Sequence, residues 1–216
     1  MRISERRSGM RRTIGAVLYG FHVMTHPFDG FWELKRDKKR AFPAAVVITA
    51  LTVLSAVLKI QASGFLFKSF AAEDYNLPLE LLTVLGPLAL WVCVNWSITT
   101  LFDGKADMKM IFISTAFAML PLALFFLPGA ALSHFLTQEE GVFIIVIDIA
   151  AGLWCAFLLL TGSSTVQEYS MLKTVVSAIA TVLGIIAVLF LLSVFISAIS
   201  QLIEFFTTII MELLYW

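Results

Sequence analysis

The sequence predicts an all-α integral membrane bundle of five transmembrane helices, with an N-terminal interfacial helix and a C-terminal amphipathic helix. Three observations carry this. Of the 216 residues, 60% are apolar and 14% charged, and the mean hydropathy is +0.93. A soluble domain has about 25% charged and about 45–50% apolar residues even with glycine counted; here the same measure gives roughly two-thirds apolar. A chain this short would leave much of that surface facing water, which excludes a water-soluble enzyme, a disordered chain and a disulfide scaffold. Second, five stretches reach the ~20 apolar residues that carry a helix across ~30 Å of hydrocarbon. Third, the balance of 15 basic and 15 acidic residues hides an asymmetry: residues 1–40 hold ten Lys/Arg against four acids, the rest five against eleven.

Residues 1–41 form a basic segment. Arginines followed by IGAVLYGFHVM have the outline of a signal peptide, but Gly20 and His22 interrupt the apolar run and no A-x-A-like site follows. Ile14, Val17, Leu18, Phe21, Met24 and Phe28 instead share one helical face. That pattern predicts a helix lying in the membrane interface, with Arg11 and Arg12 reaching anionic lipid, joined by Phe21, Trp32, Lys38, Lys39 and Arg40. Beside apolar spans, such a basic cluster points to lipid and topology rather than to nucleic acid.

The spans of the transmembrane domain, residues 42–200, follow in order: Phe42 to Ile60, with Pro43 suited to a first turn; Leu79 to Phe102; Met110 to Leu132, which Pro121 and Pro128 should kink or end; Val142 to Thr161; and Thr174 to Ser200. Polar breaks at 61–78, 103–109, 133–141 and 162–173 separate them. With the N-terminus inside, thirteen Lys/Arg fall on the cytoplasmic side and only Lys59 and Lys68 on the other. The excess predicts a multi-pass cell-membrane protein, N-terminus cytoplasmic and C-terminus extracellular. In residues 201–216, Glu204, Thr208, Glu212 and Tyr215 form a polar stripe, and no Gly or Pro separates it from the fifth span. The alternatives are an outer-face amphipathic helix or a fifth helix that projects beyond the bilayer, with Glu204 and Glu212 as partner contacts.

Candidate chemistry is sparse. No nucleotide, hydrolase or zinc-protease motif occurs, and His22, His26 and His134 lie in interfacial or loop segments without metal-ligand spacing. Neither catalysis nor a cofactor nor a metal is expected. Cys93 and Cys155 read as small buried packing residues. The one ionisable residue well inside a span is Asp148, about 9 Å deep at the helical rise. A carboxylate there costs about 2.5–3.5 kcal/mol unless it faces protein or water, so it marks either an ion or proton site or a single ion pair. Lys59, at a comparable level, is the expected mate. Asn95, Ser97, Thr99 and Thr100 are candidates for hydrogen bonds between helices. Ser177, Ala180, Gly184 and Ala187, with Ala150, Ala151 and Gly152, are small-residue faces for close helix approach.

The segment HPFDGFWELKRDKKR, followed by five spans, resembles the Yip1 domain family in its bacterial form. The likeness continues through LWVCVNWSITTLFDGKADMKMIFISTAFAMLPLAL, where Asn95–Trp96, the Asp103–Gly104 turn and Pro121 fall at recurrent positions. It includes LSHFLTQEEG and Glu168 to Lys173, covering roughly residues 25–200. The resemblance implies a polytopic membrane protein. Eukaryotic relatives have a long cytosolic N-terminal region and are linked to vesicle traffic and small GTPases; the short basic segment here departs from that pattern. Two functions are expected as alternatives. One is a non-catalytic scaffold or accessory subunit associated with other integral membrane proteins and anionic lipid. The other is a component of a small-solute or ion transporter or channel, with Asp148 and the Asn95 cluster along its path.

Overall fold

The computed structural model describes Gly15 and residues 17–62, 76–136 and 139–214. Their regular structure is helical throughout: α1 (residues 17–25), α2 (Pro27–Arg36), α3 (Lys38–Ala62), α4 (Leu77–Leu101), α5 (Met108–Ala118), α6 (Leu120–Leu132), α7 (Val142–Gln167) and α8 (Met171–Leu214). A 3₁₀ turn, Glu139–Gly141, precedes α7. Five helical stretches are long and apolar enough to cross a membrane, with α5 and α6 counting as one.

The kinked α5–α6 span is the centre of the bundle. It packs against α3 and α7, and α5 also meets α4. The kink follows from Pro121: its ring removes the N–H that would bond to Phe117 and crowds the preceding turn. The chain breaks at Met119 and restarts with the proline in the first turn of α6. Alanines make the tight contacts, with Ala41, Ala44, Ala45, Ala116 and Ala118 buried alongside Ile48, Ile113, Phe117 and Leu158. Small side chains let backbones approach where lipid supplies no hydrophobic drive between helices.

α1 and α2 lie against one end of this core. Gly20 and Val23 of α1 and Phe31 and Leu34 of α2 face the bundle, Gly30 of α2 is buried against Val23 of α1, and Leu18, Phe21, Phe28 and Trp32 face away. The expected single lipid face is thereby divided, since Val17 and Met24 pack on the core. Ile14, Arg11 and Arg12 lie outside the described residues.

Three boundaries differ from the sequence reading. α3 starts at Lys38, so Pro43 sits in the helix interior rather than the first turn; the acceptor it leaves unbonded is the carbonyl of Lys39, at the exposed end. α7 runs past Thr161 to Gln167, shrinking the expected break at 162–173 to Glu168–Ser170. Gly162, Ser163, Ser164 and Thr165 have loop composition, yet Gly162 is a contact point: a Cβ there would come within 3.0 Å of the Phe31 ring. Thr161 and Thr165 satisfy their hydroxyls by donating to carbonyls four residues back. Finally, α8 continues unbroken through Gln201 to Leu214 with no separate helix beginning at 201; Tyr215 and Trp216 lie outside the described residues.

Candidate functional site

Two polar centres stand at opposite ends of the bundle. At the end where α2 lies, the starts of α3, α5 and α8 meet the ends of α4 and α7. Glu168, in the turn between α7 and α8, accepts from Lys35 of α2 at 2.8 Å and from Lys105 of the α4–α5 loop. Lys38 at the start of α3 pairs with Asp107, whose carboxylate also accepts the Met110 N–H at 3.2 Å and so caps α5. Buried Gln167 accepts the Ala106 N–H at 2.9 Å. The Tyr169 hydroxyl donates to the Thr99 and Phe102 carbonyls, both at 3.0 Å, tying down the open end of α4. These contacts clasp α2, α3, the 103–107 loop and the α7–α8 turn into one unit.

The electrostatics follow from these partners. Hydrogen bonds from Lys105 and Lys35 hold the Glu168 carboxyl down at about 2. Asp107 is also lowered: partial burial pushes it up, but the Lys38 pair and the Met110 N–H outweigh that. Burial, then the nearby Asp103 charge, raises the Tyr169 hydroxyl. Glu168 and Asp103 both adopt the left-handed backbone conformation, at φ 59° and 58°. Aspartate tolerates it well; for glutamate it is a strained choice, held here by two lysine partners.

At the other end, the predicted pair forms. Lys59 Nζ of α3 lies 2.5 Å from Asp148 Oδ1 of α7, and the same ammonium stands 4.5 Å from the Phe126 ring centroid on α6. The pair therefore joins three helices and neutralises the carboxylate that α7 carries within its span.

Of the polar group on α4, Asn95 alone crosses to another helix. Its Nδ2 donates to Thr181 Oγ1 of α8 at 3.2 Å, and Thr181 in turn donates to the Ser177 carbonyl. Contrary to expectation, Ser97, Thr99 and Thr100 donate back to carbonyls of their own helix. A hydroxyl on a helix can satisfy itself four residues back, so its presence does not demand a neighbour. The α8 face against α4 is Thr174, Ser177, Thr181 and Gly184, with Gly184 so close that a Cβ would lie 2.7 Å from Val94 Cγ1; Ala187, expected in that stripe, is exposed. Ala151 is buried, whereas Ala150 and Gly152 are exposed.

The remaining predicted residues separate. Phe21 and Trp32 are exposed, as are Lys39 and Arg40, and Arg40 stands 3.5 Å from Asp37. Lys38 faces Asp107 rather than an open surface. Glu204 and Glu212 lie on the exposed far half of α8. Cys155 is buried as expected, but Cys93 is exposed, because it points away from α8 into a groove between α3 and α4. Among the described residues no cluster of His, Cys, Asp and Glu could hold a metal. The sequence reading missed the clasp. Its charges were visible at the span ends, but their pairing spans separations of up to 133 positions that no local spacing signals.

These elements define a polytopic helical membrane protein. A family model, the Yip1 domain, matches residues 21–211, and the chain belongs to that family of polytopic membrane proteins. No curated protein and no solved structure matches it.

Proposed function

We propose that this protein is a non-catalytic scaffold or accessory subunit of a membrane protein assembly in the cell membrane, with its N-terminus cytoplasmic and its C-terminus outside. The observation that carries the reading is the length of α8. Its 44 residues extend about 66 Å at 1.5 Å per residue, against a hydrocarbon core of ~30 Å. Even a tilt of 40°, the upper end of what transmembrane helices adopt, absorbs only about 39 Å. Every described side chain from Leu191 onward is exposed, including Phe195, Ile199, Phe205, Phe206 and Ile210. An apolar surface of that extent is not stable in water and marks a protein or membrane contact. The acidic stripe of Glu204 and Glu212 suits a protein partner better than anionic lipid.

The orientation is supported by the basic residues: Lys35, Lys38, Lys39, Arg40, Lys105, Lys109 and Lys173 all gather at the clasp end, and positive charge at span ends favours the cytoplasmic side. The transporter alternative draws less support. Asp148 is neutralised by Lys59, and Asn95 is bonded to Thr181 on a different helix pair, so the two do not line one path.

The test is recovery of membrane partners in mild detergent. Deleting residues 201–216, or reversing both charges with Glu204→Lys and Glu212→Lys, should reduce co-purification of a stoichiometric membrane partner. Unchanged recovery after both alterations overturns the reading, as does a lone monomer that catalyses solute flux in liposomes.

A further inference from the structure

We infer that the groove between α3 and α4 is a binding site for one anionic phospholipid, its acyl chain lying along the groove and its phosphate held at the basic end by Lys109 and Lys39. The groove encloses about 1000 Å³, at the top of the ~300–1,000 Å³ range of small-molecule sites. It extends along α3 from Phe42 to Val57, about 22 Å of helix, which exceeds one leaflet's share of a ~30 Å core. Leu81, Leu88 and Cys93 form the facing wall on α4. Apart from the Thr49 hydroxyl, the lining is apolar until Lys109 at the mouth. A cavity of this shape inside a bilayer is filled by hydrocarbon, and the question is what selects the molecule.

The charges at the mouth make that selection. Lys109 lines the groove at the start of α5, and Lys39 lies two turns before the groove residue Val46 on the same face of α3. Neither forms an ion pair among the described residues, although Lys35, Lys38 and Lys105 close by all do. Two uncommitted ammonium groups at headgroup depth, above a chain-shaped apolar slot, complement a lipid with an anionic head. A transmembrane helix of a second copy fits less well. Helices pack on small residues, and this lining is mostly Phe, Val and Leu.

The test is native mass spectrometry of the full chain in detergent, titrated with phosphatidylglycerol and with phosphatidylcholine. The expected result is one retained phosphatidylglycerol per chain, preferred about tenfold or more, as two lysines near a headgroup provide. Lys39→Gln with Lys109→Gln should abolish the preference while leaving the chain's mass state and helix content unchanged. Ala50→Trp, which fills the groove, should remove bound lipid of both kinds. Equal binding of the two lipids by the unaltered chain overturns the inference, as does a preference that survives the double lysine change. A mass of two chains that Ala50→Trp reduces to one, with lipid retention unchanged, assigns the groove to a second copy and overturns it as well. The lysine variants are surface changes, so the inference stays testable even if Ala50→Trp fails to fold.

Discussion

At the scale of single residues, what matters most is which charges have found partners. Lys59 and Asp148 are each partly shielded, at 20% and 35% side-chain exposure, so removing one deprives the other of a close counter-charge in a poorly hydrated place. A double-mutant cycle of Asp148→Asn and Lys59→Met, followed by unfolding in detergent, should give a coupling energy of about 1–2 kcal/mol; zero coupling would show the contact to be incidental. Glu168 behaves differently because it titrates in reach of water. Its carboxyl is held at about 2, below its ordinary 4.5, so the folded state favours the charged form. The clasp's contribution from Glu168 is therefore complete above about 4.5 and is lost as pH falls towards about 2. Thermal stability in detergent should decline over that window, and Glu168→Gln should remove this dependence. Glu168→Gly separates two further effects, since it relieves the left-handed backbone while deleting both lysine contacts. Higher stability than Glu168→Gln would show how much strain the lysines offset.

Among the elements, α8 is held to the bundle by little more than one face of α4, through Asn95–Thr181 and the close approach at Gly184. Gly184→Leu would push the helices apart and should cost about 1–3 kcal/mol, as other overpacked contacts do. Thr181→Val, which removes the bond from Asn95 together with the hydroxyl's own bond to the Ser177 carbonyl, should cost about 0.6 kcal/mol. Thermal unfolding in detergent measures both; equal effects would mean that packing at Gly184 is loose. The contrast between α8 and the central α5–α6 span is physical. A transmembrane helix must satisfy its own backbone, and α8 does so with few neighbours, leaving an apolar surface that only lipid or another protein can cover.

Across the whole molecule, helix ends and basic residues gather at the clasp, and the proposed orientation rests on that gathering. Five helices are long and apolar enough to cross a bilayer, and an odd number of crossings is what the proposed orientation requires. Reporter fusions at Met1 and Trp216 should therefore report opposite compartments; the same compartment for both would remove the assignment of loops to sides. The number of crossings, their approximate limits, the break near Pro121 and the Lys59–Asp148 pair were all legible in the chain. Hydrocarbon thickness imposes a length, proline imposes a break, and a lone charge within lipid demands an opposite one at its own depth. These are local demands, and a sequence states them directly. Tertiary structure alone decided that Gly162–Thr165 is helix rather than loop, because burial against Phe31 outweighs composition. It decided too that Ser97, Thr99 and Thr100 turn back on their own helix, that Lys38 goes to Asp107, and that Cys93 opens on a groove. Each depends on which segments lie side by side, and apolar spans of similar character carry almost no record of their neighbours.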